Sequence, residues 1–208
     1  VLAVLLPFVV TVATRPAMYN GIRHFVFLTP PFAVLGGLAA AWMARRLQHH
    51  GRAALAAGAV VLAGGVSAPI VDMARLHPYE YTYFNHFAGG VAGARPYYMI
   101  DYWGLSIRQA ALELRARLAE RNEAPKGATW TVAVCGPHPA AVVALGPEYS
   151  AIWDPKGADF ALTLGEFYCA KLEAPILLDV IRDGIVYARV YDIRGRSISS
   201  LLTVKGPD

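Results

Sequence analysis

No aspartate, glutamate or lysine occurs in the first 71 residues, whose only charges are Arg15, Arg23, Arg45, Arg46 and Arg52. Over the whole chain charged residues make up 16% and hydrophobic ones 56%, against the roughly 25% charged of a soluble domain. That poverty of charge argues against water as the only solvent. Cysteine is also scarce. Cys135 and Cys169 are too few and too far apart for the paired spacing of a structural zinc site, so no metal is expected. A disulfide and two buried free thiols both remain compatible with the pair.

The net charge of +4 does not point to nucleic acid, because the basic residues beyond Asp72 are interleaved with acids and form no run or aromatic-basic stripe. Gly89, Gly90 and Gly93 follow no predicted strand and open no predicted helix, so they fail the dinucleotide fingerprint. No nucleophile elbow or zinc-protease motif is present either. No cofactor is expected.

Long apolar runs are what the sequence does have. Residues 25–44 contain 20 residues and residues 53–71 contain 19, all uncharged, which matches the roughly 20 residues a helix needs to cross the hydrocarbon layer. They are expected to be two spanning helices, apolar all round where a soluble core helix keeps a polar stripe. Gly36, Gly37, Gly58, Gly64 and Gly65 allow close helix approach, and Pro30 and Pro31 are expected to kink the first span. Residues 1–13 are too short to cross alone and read as the end of a severed helix, which makes the chain a C-terminal fragment.

The link RRLQHHGR, residues 45–52, carries three arginines, whereas residues 15–23 carry two. The positive-inside rule then places the link in the cytoplasm and everything after Asp72 on the far side, the periplasm of a bacterium.

Beyond the spans, residues 76–104 form a turn-rich aromatic stretch. Ser106 is a candidate N-cap for a helix over residues 106–121 with Ile107, Ala110, Ala111, Leu114 and Leu118 on its apolar face. Strands are predicted at 129–135, 150–153 and 160–164, a short helix at 139–145, and a hairpin over 176–192 turning at Asp183-Gly184. The expected fold is therefore membrane α-helical, with two full transmembrane helices and part of a third over residues 1–73, followed by a small α/β domain over 74–208.

Three blocks stand at the membrane edge: YNGIRHF from Tyr19, HPYEYTYFNHFAGG from His77, and DYWGLSIRQA from Asp101. Together they resemble the C-terminal part of bacterial GT-C type membrane glycosyltransferases, in the family 39 group related to protein mannosyltransferases and aminoarabinose transferases. The resemblance covers about half of the chain. It implies an inner-membrane, multi-pass enzyme that takes sugar from a polyprenyl-phosphate-linked donor and passes it to a glycan or lipid acceptor on the periplasmic face. It also implies a catalytic base in a first periplasmic loop that these residues do not include, so no catalytic residue is assigned here.

Arg23 is the candidate for the lipid phosphate, because guanidinium makes paired hydrogen bonds to phosphate oxygens; His24 and Tyr19 are supporting donors. Interfacial anchoring of a span is the simpler role for Arg23 and Tyr19. Candidate sugar or acceptor contacts are His77, Tyr79, Tyr81, Asn85, Asp101 and Trp103. In an extended segment Tyr79, Tyr81 and Tyr83 would share one face, as a sugar platform or as packing, while Asp101 would bind acceptor or pair with Arg108. His138 follows a predicted strand, where α/β domains place binding residues, although a lone exposed histidine is the simpler reading. A different function also fits: a membrane-anchored periplasmic binding or assembly domain without chemistry.

Overall fold

The computed structural model describes residues 1–17 and 22–202. The chain divides into two compact units, Val1–Asp72 and Met73–Asp208.

The first unit is helical. Helix α1 spans Leu2–Thr14, a 3-10 stretch covers Ile22–Leu28, α2 runs Thr29–Gln48 and α3 runs Arg52–Leu76. Pro30 and Pro31 do not kink a span. They sit in the first turn of α2, where the amide hydrogen that proline lacks would have no helical partner in any case. Phe8 of α1 stacks on Phe25 with ring centroids 5.3 Å apart and meets Phe32 edge-on at 6.3 Å. No residue of α2 and only Leu76 of α3 is buried. Leu47 lies so close to Gly58 that a Cβ there would overlap it, whereas Gly36, Gly37, Gly64 and Gly65 have open space beside them. The unit thus contains two long apolar helices with their side chains largely uncovered.

The second unit is a mixed five-stranded sheet with helices. After 3-10 turns at Glu80–Thr82 and His86–Ala88 come α4 (Gly90–Ala94), α5 (Leu105–Glu120), β1 (Trp130–Cys135), α6 (His138–Leu145), β2 (Tyr149–Ile152), β3 (Phe160–Leu164), β4 (Ile176–Arg182), β5 (Ile185–Asp192) and α7 (Ile198–Leu201). The sheet order is β2-β1-β3-β5-β4, parallel among β2, β1 and β3 and antiparallel through β5 to β4. The two-residue turn between β4 and β5 places Asp183 and Gly184 at φ 49° and 74°, the positive pair that matches the twist of a tight hairpin.

The period-2 alternation of the strands divides the core between the two sheet faces. Val132, Val134, Phe160, Leu162 and Val190 pack with Ile107, Ala110, Ala111, Leu114 and Leu118, the predicted apolar face of α5. Ala133, Ala161 and Tyr191 point to the opposite face and pack with Ile193 and Leu201. Every residue of β3 is buried, as expected of a strand covered on both sides.

Helix α5 begins one residue earlier than its sequence suggests, with Gly104 at the cap position and φ 68°. Ser106 is therefore inside the first turn. The cap comes from Asp101, whose carboxylate accepts from Leu105 N at 3.1 Å and Ser106 N at 2.9 Å, and from the Ser106 hydroxyl. Free amides at a helix start need such an acceptor, and this one lies upstream of the loop rather than at the cap itself.

Candidate functional site

The three parallel strands end side by side, and the loops leaving them surround an open cleft of about 560 Å³. Its walls come from four segments: Met99, Tyr102 and Trp103 ahead of α5; Gly136 and Pro137 after β1; Trp153 after β2; and Tyr168 after β3. The carboxyl ends of parallel strands are where open α/β sheets place ligands, because loops diverge there and leave a crevice.

Several contacts hold these segments. Cys135 at the end of β1 is disulfide-bonded to Cys169, with Cα atoms 5.7 Å apart, so the pair is joined rather than two free thiols. Buried Glu166 accepts from Ile100 N at 2.8 Å and Asp101 N at 3.0 Å, and Asp101 in turn ties the same strap to α5. At Gly104 a Cβ would come within 2.7 Å of Pro137; the positive φ and the close approach both favour glycine there. Among the described residues the lining carries no carboxylate, ammonium or guanidinium.

His138 opens α6. It is half-buried, not exposed, and stacks on Trp153 with centroids 4.3 Å apart and planes 21° apart. Its Nε2 is buried without a hydrogen-bond partner among the described residues. Trp153 and Trp103 remain 70% and 65% exposed, so large aromatic faces stay open to solvent at this edge. The ring of Trp103 also meets Tyr102 edge-on at 5.1 Å. Burial pushes the Tyr168 hydroxyl above its ordinary pKa, with the Glu166 and Asp101 charges adding to the effect.

Of the six residues singled out as sugar or acceptor contacts, Trp103 alone lines the cleft. Tyr79 and Asp101 are buried, and their polar atoms are already engaged. Tyr79 donates to Gln109 Oε1 at 2.5 Å, lies 5.3 Å from the Tyr187 ring and has the Arg182 guanidinium over its face at 4.9 Å. The Tyr81 hydroxyl donates to Asp101. Burial pushes the hydroxyl pKa of Tyr79 and Tyr81 well above the ordinary range; at Tyr81 the Asp101 charge adds to this, and at Tyr79 Arg182 opposes it.

Asn85 caps the His86–Ala88 turn by accepting from Ala88 N at 3.1 Å. His77 is exposed and its Nδ1 lies 2.5 Å from Glu80 Oε1. The Glu80 carboxyl is held below its ordinary value, first by its own backbone amide and then by His77.

The three tyrosines therefore do not share one face. A 3-10 turn over Glu80–Thr82 replaces the extended geometry and sends Tyr79 inward, leaving Tyr81 partly exposed. Asp101 engages α5 and Tyr81, not Arg108 as the simpler sequence reading had it.

In the helical unit, Arg23 and His24 are consecutive exposed residues of the 3-10 stretch ahead of α2. Tyr19, their expected companion, lies outside the described residues. Among the described residues no group of three or more His, Cys, Asp or Glu side chains is arranged to hold a metal ion.

Sequence reasoning missed Trp153, Tyr168 and the Cys135–Cys169 bond as parts of one place. A usable signal existed, since Pro137-His138 and Phe167-Tyr168 follow closely on predicted strands and Trp153 ends another. No family model, curated protein or solved structure matches the chain.

Proposed function

We propose that this chain is the C-terminal part of a bacterial GT-C type membrane glycosyltransferase that moves a sugar from a polyprenyl-phosphate donor to a periplasmic acceptor. In this reading α2 and α3 cross the inner membrane. Their 20 and 25 residues correspond to about 30 and 38 Å at 1.5 Å per residue, enough for a hydrocarbon layer of roughly 30 Å. Their uncovered apolar surfaces suit lipid, and the arginines of the 45–52 link suit the cytoplasmic side. A disulfide in the following unit fits the oxidising side of that membrane.

The observation that carries the reading is how the apolar helices and two of the polar blocks follow one another. Arg23-His24 lies in the 3-10 stretch that leads into the first long helix, and HPYEYTYFNHFAGG begins at the residue after α3. Both blocks then fall at the depth of lipid headgroups, where the phosphate of a lipid-linked sugar would lie.

In the transfer, an acceptor hydroxyl attacks the anomeric carbon, the bond from that carbon to the lipid phosphate oxygen breaks, and the hydroxyl proton goes to a base. Negative charge grows on the departing phosphate. A guanidinium such as that of Arg23 stabilises it by charge-assisted hydrogen bonds.

The test is Arg23→Ala in the full-length protein, assayed in membranes for transfer from a polyprenyl-phosphate-linked sugar at matched expression. The expected loss is about 10²- to 10³-fold, the usual scale for deleting one such donor. Undiminished transfer would make Arg23 an interfacial anchor. Absence of transfer by the unmodified protein would leave the membrane-anchored binding or assembly domain as the better account.

A further inference from the structure

The cleft at the carboxyl ends of β1, β2 and β3 has a lining that selects its occupant. It presents tryptophan and tyrosine faces with no ionised side chain, so an anionic group would find no charged partner there and a cation would meet only ring faces. Four of its lining residues, Tyr102, Trp103, Trp153 and Tyr168, are flat rings that also carry N–H or O–H donors, a combination suited to ligands with one apolar face and a polar edge. A pyranose ring has that character: its axial C–H bonds form an apolar face, and its hydroxyls project around the rim.

We propose that this cleft is a carbohydrate-binding subsite, seating a neutral sugar ring against Trp153 and Trp103. Trp153 has one face covered by the His138 imidazole and most of its surface open, so its position is supported from behind while the outer face is available. The disulfide, the Glu166 contacts and the Gly104–Pro137 approach brace the loops around the cleft. A site formed before its ligand arrives loses less ordering entropy on binding. That the sugar belongs to the acceptor rests on the transferase reading; the preference for a neutral sugar ring rests on the lining alone.

The experiment applies the full chain, in lipid nanodiscs, to an array of bacterial surface oligosaccharides, with adenosine and free polyprenol tested separately as competing ligands. Oligosaccharide binding is expected, weakened at least tenfold in Trp153→Leu and in Trp103→Leu but largely retained in Trp153→Phe, which keeps a flat ring. Leucine preserves apolar volume, and a thermal melt of each variant confirms that it folds. The proposal is overturned if no oligosaccharide binds, if the leucine variants bind like the unmodified chain, or if adenosine or polyprenol displaces the sugar through the same tryptophans. Oligosaccharide binding through Trp153, with no transfer by the full-length protein in the membrane assay above, would remove the transferase reading and keep the subsite; transfer by the full-length protein without such binding would do the reverse.

Discussion

Asp101 joins two segments through one carboxylate, accepting from the Tyr81 hydroxyl on one side and from the first amides of α5 and the Ser106 hydroxyl on the other. Its own amide is held by buried Glu166. Removing the carboxylate leaves the helix start uncapped and the Tyr81 hydroxyl without its acceptor, while the Ser106 hydroxyl keeps only its longer bond to Tyr187 O at 3.3 Å. Asp101→Ala is therefore expected to lower the stability of the sheet unit by roughly 2–4 kcal/mol, combining the loss of a cap with unsatisfied buried donors. Denaturant unfolding of the full chain in detergent, followed by tryptophan fluorescence, checks this. A change below about 0.5 kcal/mol, the range of ordinary surface substitutions, would mean that water or a neighbour replaces the carboxylate. Tyr79 and Tyr81 show the same principle: residues that read as a sugar platform in sequence are occupied by partners within the fold.

At the scale of elements, the loops after β1 and β3 are where the disulfide acts. Cys135 ends β1, and Cys169 lies 34 residues further on in the loop after β3. Closing a loop of that length restricts the unfolded chain, and the chain-entropy model values the effect at about 3–4 kcal/mol. The double substitution Cys135→Ser with Cys169→Ser should lower stability by that order in denaturant titration, while the unmodified protein should show the same loss on full reduction. Equal midpoints for the oxidised and reduced protein would mean that the bond adds nothing to the packing of β1 against β3. The hairpin of β4 and β5 is separately secured by the Asp179–Arg189 pair, whose two hydrogen bonds measure 2.6 and 2.8 Å across the strands.

At the scale of the whole molecule, the proposal assigns the 45–52 link and the sheet unit to opposite sides of a membrane. The native cysteines are bonded to each other, so an introduced cysteine is the reactive one. In spheroplasts of the bacterial host, Lys156→Cys in the sheet unit should react with a membrane-impermeant maleimide. Gln48→Cys in the link should react only after permeabilisation. The reverse pattern would invert the orientation, and labelling of both in intact spheroplasts would remove α2 and α3 as spans.

The apolar extents of α2 and α3, the apolar face of α5, the five strands and the Asp183-Gly184 turn were all readable from residue order, because each depends on short-range periodicity or on one residue's backbone preference. Boundaries shifted where a distant group intervened, as when Asp101 moved the start of α5 ahead of Ser106. The prolines of α2 required their register relative to the helix start, which decides whether a missing amide matters. Only the tertiary structure paired Cys135 with Cys169, buried Tyr79 and Asp101, and gathered Trp103, Trp153 and Tyr168 into one cleft. Those outcomes follow from strand order and from loops far apart in the chain, and local sequence carries no term for a contact between residues 50 positions apart.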